Sequence, residues 1–245
     1  MMKPLQRVKA VIAYDGSAYF GFQKQKTTNQ TITYEIEKAL TSLQISSLIV
    51  GSGRTDAGVH ASAQIIHFDI PEYWYDLQKL KLNLNRKLNN IQFKHITYVS
   101  KAFHARFSAK RRLYRYVFKT TKPSVFEDKY ISYYPEFNTD QLEKSLRYFI
   151  GEHDFDFFRK TGTDTHTSIR EIYKTIYTKR ENYHFIYFEA NGFLRSQVRM
   201  MIEAAMLCAT KKLSIVSLQE QIDCKIKYTT KLAPPEGLYL ARILY

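Results

Sequence analysis

Cysteine is scarce in this chain of 245 residues: Cys208 and Cys224 stand alone, in no CxxC or other zinc-ligand spacing. Both thiols are therefore expected to be reduced and structural, with Cys208 inside an apolar helical stretch. The seven histidines are scattered without an HExxH or related spacing, so neither a metal nor another cofactor is expected. No apolar run approaches the roughly 20 residues that span a bilayer, and the N-terminal stretch lacks the apolar core of a signal peptide. A cytoplasmic protein with no membrane attachment is the expectation. Gly- or Pro-rich linkers and low-complexity tails are missing too, so the chain reads as one large or two small domains that can fold as one cooperative body.

Acidic residues are also in the minority. Lys and Arg number 37 against 23 Asp and Glu, a formal net charge of +14, which presents a positive field to anions. A polyanion such as a nucleic acid is the natural partner; an anionic membrane surface would also fit. Arg and aromatic residues interleave over 103–118, where cations can reach phosphates and flat rings can stack on bases. The same alternation of Tyr and Phe also describes half-buried strand packing.

The periodicity runs through the same order of elements twice. In the first half, 7–14 alternates like a strand, 31–43 has helical spacing, and 48–51 and 64–70 read as strands. Leucines at 77, 80, 84 and 88 share one face of a helix over 76–88, and 91–99 returns to strand. The second half offers a strand at 113–119, a helix at 139–149 capped by Asn138 or Thr139, and a strand pair at 169–177 and 183–190. A long apolar helix at 193–209 and a closing strand at 238–244 follow. The expected fold class is α+β: two ferredoxin-like (RRM-like) β-α-β-β-α-β halves, residues 1–105 and 106–245, with helices on one face of a largely antiparallel sheet.

The run Gly51-Ser52-Gly53-Arg54-Thr55-Asp56-Ala57-Gly58-Val59-His60-Ala61 carries the most chemistry. Its three glycines permit positive φ and close ligand approach, and Arg54 can hold an anion or favour ionised Asp56. Such a loop suits a reacting carboxylate. It equally suits a tight turn in which an Asp bonds local backbone N–H groups.

The full run resembles the signature of the TruA family of tRNA pseudouridine synthases, and further matches follow in order. They include Tyr14-Asp15-Gly16 with Tyr19, Gly21, Phe22 and Gln23; Gln64 and His67-Phe68-Asp69; and Phe103-His104-Ala105-Arg106-Phe107-Ser108-Ala109. Arg112-Leu113-Tyr114-Arg115-Tyr116, Gly151-Glu152-His153-Asp154-Phe155, Val198-Arg199-Met200 and Pro234-Pro235-Glu236-Gly237-Leu238-Tyr239-Leu240 complete the series. The resemblance implies an isomerase that converts uridine to pseudouridine at positions 38, 39 and 40 of the tRNA anticodon stem-loop, acting as a homodimer. It also implies that the two halves join their sheets into one, with a catalytic cleft drawing on both. Two alternatives remain open: a related synthase with other tRNA or rRNA targets, and a non-catalytic RNA-binding protein on the same scaffold.

By resemblance Asp56 is the essential residue, whether it attacks C6 of the base, attacks C1′, or removes the 2′ proton. Arg54 would hold the flipped-out state, and Tyr114 would stack on the uracil and assist loss of the C5 proton. Arg199 would pair with the catalytic carboxylate, and Leu238 would pack against the base. Three of them have a plainer reading: a phosphate contact or surface ion pair for Arg54, and core packing for Tyr114 and Leu238. His60, His104 and Tyr14 are expected to serve as scaffold or RNA contacts. Three places depart from the family pattern, namely Leu88-Asn89-Asn90-Ile91, Phe158, and the glycine-free stretch 203–211; they leave an altered RNA-binding rim open.

Overall fold

The computed structural model describes residues 5–162 and 165–245, and the chain forms two compact units. One holds the residues up to Lys110 together with Leu240–Tyr245, and the other is Arg111–Tyr239. The first unit thus extends past the sequence-based division at 105. The physical reason is that the segment after 105 is fastened to the first unit: Lys110 N–H donates to Leu244 O at 2.8 Å.

In the first unit, β1 (Leu5–Tyr14) buries Val8, Ala10, Ile12 and Tyr14 on one face and leaves the residues between them half-exposed, the period of a strand. Helix α1 (Ile32–Ser42) begins at Thr31, whose side chain accepts from Tyr34 N–H, and it buries Ile36, Ala39 and Leu40. Short β2 (Val50–Gly51) leads by a loop into β3 (His60–Pro71). Helix α2 (Leu77–Lys87) is capped by Asp76. It seats Leu80 and Leu84 in the core, with Leu88 just past its end. After β4 (Ile91–Tyr98), the order is β4-β1-β3, with β2 on β3 and β10 (Leu238–Leu244) on the other side of β3. The β1–β3, β1–β4 and β2–β3 pairs are antiparallel.

The second unit contains β5 (Arg111–Lys119), β6 (Ser132–Tyr133), α3 (Thr139–Arg147), β7 (Gly151–Asp154), β8 (Ile169–Arg180), β9 (Tyr183–Ala190), α4 (Gln197–Ala209) and α5 (Ile215–Ile222). Its strands lie in the order β5-β9-β8-β7, antiparallel, and β6 runs parallel beside β5. The core is aromatic: Tyr116, Phe118, Phe149, Phe155, Phe158 and Phe188 are all fully buried. Asn138 caps α3, accepting from Gln141 N–H at 2.8 Å, as its sequence position led us to expect.

The protein is thus α+β with largely antiparallel pairing, and its details differ from the periodicity in three places. Helix α4 starts at Gln197 instead of 193, because Ser196 takes left-handed φ of 59° and Gln197 Oε1 accepts from Leu194 N–H at 2.7 Å. The strand expected over 48–51 pairs only at Val50 and Gly51. Elements β6, β7 and α5 were not anticipated; the first two are too short to show a period.

His67 on β3 is buried, and its Nδ1 accepts from Ala105 N–H at 3.1 Å. Burial pushes its pKa down from 6.5 to about 4, with Arg7 and His104 adding to the shift and Asp69 opposing it. The folded state therefore holds a neutral ring where the unfolded chain would bind a proton, so this stabilising contribution is complete above about pH 6.5 and is lost as pH falls toward 4. Urea midpoints measured across that window should fall with pH. They should fall less steeply for His67→Gln, whose amide oxygen can accept the same bond and does not titrate.

Candidate functional site

Asp56 lies half-buried on the loop between β2 and β3, and Arg54 is exposed two residues before it. Such a loop has no ladder to satisfy its backbone, so its partners must come from elsewhere. They come from the segment that follows β1. Tyr14, the last residue of β1, is buried and shares a 2.8 Å hydrogen bond with the hydroxyl of Thr55. Phe22 N–H donates to Thr55 O at 3.1 Å, and Gly58 N–H to Tyr19 O at 3.4 Å. Gly16 N–H donates to Nδ1 of the fully buried His60 at 3.0 Å.

The other end of the loop is fixed by Gln64 of β3. Its Nε2 donates to Gly53 O at 2.7 Å while its Oε1 accepts from Ser52 Oγ at 2.6 Å. Thr55 and Val59 are buried on either side of the half-buried Asp56, so the sequence around the carboxylate is anchored. Of the three glycines in the run, only Gly58 takes a positive φ, of 76°. Tyr14 and His60 stand here as scaffold.

The remaining candidates belong to the second unit. Tyr114 on β5 retains 8% of its surface, with its ring edge-on to Phe193 at 5.1 Å. Arg199, half-buried in the first turn of α4, is tied to Ala233 twice: its Nε donates to Ala233 O at 2.7 Å, and Ala233 N–H donates to Arg199 O at 3.1 Å. Leu238 is buried at the start of β10. The three are linked through their neighbours. Tyr116, two residues along β5 from Tyr114, donates to Pro234 O at 3.2 Å, and Glu236 accepts from Ser132 Oγ at 3.2 Å. Burial raises the pKa of Tyr116, and burial with the nearby Tyr116 and Glu203 raises that of Tyr134; both hydroxyls stay protonated and act as donors.

The role of Ala233 was not visible in the sequence, because a backbone carbonyl leaves no side-chain signal. Two of the departures from the family pattern make contacts within the fold. Phe158 packs in the core edge-on to Phe149 at 5.4 Å, and Asn90 O accepts from Asp15 N–H at 3.0 Å. Among the described residues, no three His, Cys, Asp or Glu side chains stand together as a metal-holding group, and no helix is long and apolar enough to cross a membrane.

A family model described as tRNA pseudouridine synthase matches residues 10–108 and 146–245. Proteins named tRNA pseudouridine synthase A are similar over nearly the whole chain. The one from Campylobacter jejuni is 36% identical over 98% of this chain and 100% of its own length. That from Helicobacter hepaticus is 37% identical over 97% and 98%, and that from Lactococcus lactis is 35% identical over 98% of both.

The first matched stretch contains both the Asp56 loop and the segment that braces it, and at Gly16 there is no room for a side chain between them. A Cβ at Gly16 would stand 2.0 Å from Val59 O, a clash with backbone that no rotamer relieves. Gly16→Ala should therefore cost on the order of 1–3 kcal/mol, read as a lower urea midpoint, and should reduce turnover because the loop must shift. Wild-type stability and turnover in this variant would show that the brace is not needed.

Proposed function

This chain belongs to the tRNA pseudouridine synthase family, and on that footing we propose that it converts uridine to pseudouridine at positions 38, 39 and 40 of the tRNA anticodon stem-loop. The observation that carries the reading is the half-buried Asp56 on a loop whose flanking residues are anchored by Tyr14, His60 and Gln64. In the reaction the N1–C1′ bond breaks, the uracil turns while still bound, C5 joins C1′, and the C5 proton leaves as N1 gains one. A carboxylate held in place can start this sequence. The target is inaccessible inside a stacked stem, so the nucleotide must first be flipped out, at a cost of a few kcal/mol.

Arg54, exposed beside Asp56, is assigned to holding the flipped-out state, where its cation can meet a phosphate. Tyr114 is assigned to stacking on the uracil, Arg199 to pairing with the catalytic carboxylate, and Leu238 to packing against the base. Modifying three adjacent positions calls for recognition of overall RNA shape, because base readout would fix a single register. The reading includes a homodimer acting in the cytoplasm, whose basic surfaces align one tRNA.

Asp56→Ala and Asp56→Asn should abolish release of tritium from C5-labelled uridine in tRNA while leaving tRNA affinity within roughly tenfold, since affinity comes mostly from phosphate contacts. Turnover by Asp56→Asn near the wild-type rate would sink the assignment.

Full-length tRNA should be a much better substrate than an isolated anticodon stem-loop carrying the same uridines, compared by initial rates at matched salt. Product mapping should then place pseudouridine at the three expected positions. Equal rates on both RNAs, or modification found only in ribosomal RNA, would reject this target.

A further inference from the structure

Phe107 of the first unit is 78% exposed. A lone exposed phenylalanine is ordinary on a protein surface. This one is held in place. Its ring stacks on His104 with centroids 4.3 Å apart and planes 26° from parallel, and the Arg106 guanidinium lies 5.8 Å from the Phe107 centroid. Backbone N–H groups of Arg106 and Phe107 both donate to His104 Nδ1 at 3.2 Å. Ser108 closes the knuckle, its Oγ accepting from His104 N–H at 3.1 Å and its N–H donating to His104 O at 2.9 Å.

The knuckle is in turn fastened to the sheet from several directions. Ala105 is gripped on both sides of its backbone, by His67 Nδ1 at its N–H and by the Tyr245 hydroxyl, 2.7 Å from its carbonyl. Arg7, itself paired with Asp69 on β3 at 2.8 Å, secures Lys101 and Phe103 just upstream. Core packing does not explain an aromatic ring displayed outward by so many long-range bonds. A flat ring, with a second ring behind it and a guanidinium beside it, matches the two chemical features of a nucleotide: a π face and a phosphate. The chain's excess of positive charge matches the same partner.

We propose that the His104–Phe107 knuckle is an RNA-contact site outside the Asp56 loop, where an unpaired base of the substrate stacks on Phe107 and the adjoining phosphate meets Arg106. The proposal rests on the reading of this protein as an enzyme acting on tRNA. Stacking on an exposed ring needs no particular base, so the site adds affinity and orientation without sequence preference.

The test is equilibrium binding of a full-length unmodified tRNA transcript to wild type and to Phe107→Ala, Phe107→Leu, Phe107→Trp and Arg106→Gln. Thermal melts should show that each variant folds, as expected for side chains so exposed. Phe107→Ala and Phe107→Leu should weaken binding on the order of tenfold and Phe107→Trp should retain it, because stacking requires a π face. Arg106→Gln should lower the slope of log affinity against log salt by about 0.7–0.9, the share of one phosphate. Wild-type affinity in Phe107→Ala would overturn the proposal, and so would a Leu variant that binds as well as Phe, since that would mean simple apolar contact. A photo-crosslinking residue at position 107 should label an unpaired nucleotide; labelling a second copy of this chain instead would overturn it too. Tritium release by the wild-type protein is measured in parallel, so that loss of the synthase reading and loss of this site are told apart.

Discussion

The first unit depends on one constraint: the loop carrying Asp56 must have its backbone satisfied without a strand ladder of its own. Gln64 Nε2 meets this demand at Gly53 O and Phe22 N–H at Thr55 O, while Tyr14 and Gln64 also bond the side-chain hydroxyls of Thr55 and Ser52 in bonds shielded from water. Leaving a buried polar group unpaired costs about 1–3 kcal/mol, so each such bond narrows the range of loop positions. The sheet order makes the arrangement possible. With β1 between β4 and β3, the end of β1 lies opposite the start of β3, where Tyr14 pairs with Ala61. From there its hydroxyl reaches Thr55.

The second unit solves a similar problem with a different device. Its long apolar helix carries Arg199, a charged group on an element that otherwise buries Met200, Met201, Ile202 and Ala204. A guanidinium in that setting needs an acceptor, and the segment before β10 supplies a backbone carbonyl at Ala233. That segment is positioned in its turn by Tyr116 and Ser132, and Tyr134 donates to Glu203 on the helix at 2.7 Å. Buried donors and acceptors paired in this way restrict geometry more than they add stability.

Much of the fold was legible because its signals are local. The alternation along β1, the leucines of α2 and the Asn138 cap are each written in a few adjacent residues. The start of α4 is set later than the periodicity suggests because Phe193 and Leu194 extend the apolar spacing of the helix backwards, while the left-handed turn at Ser196 depends on a hydrogen bond from Leu194 to Gln197 Oε1. The Asp56 loop was visible through its glycines and charged residues. Its brace was less so, since Gly16 matters for what it lacks and His60 acts as an acceptor for backbone. Phe158 shows the converse: a residue that looked like an altered rim lies in the core, because the burial of one aromatic among others is not encoded in its immediate neighbours.

Strong positive charge alone would make this protein bind nucleic acid indiscriminately, since phosphate contacts carry no sequence information. Discrimination then falls to rigid features that fix the orientation in which the RNA is held. The first unit contains two such features built on opposite principles. The Asp56 loop places a polar group in a partly shielded position and uses buried hydrogen bonds to keep it there, which suits chemistry that must exclude water. The Phe107 knuckle places an apolar ring in full contact with solvent and fastens its backbone through Arg7, His67 and Tyr245, which suits a contact that forms only when a partner arrives. Both draw their anchors from the same strands: β1 supplies Tyr14 and Arg7, and β3 supplies Gln64 and His67. The β1–β3 pair therefore anchors the Asp56 loop and the Phe107 knuckle through the same two strands, which couples the position of one to that of the other.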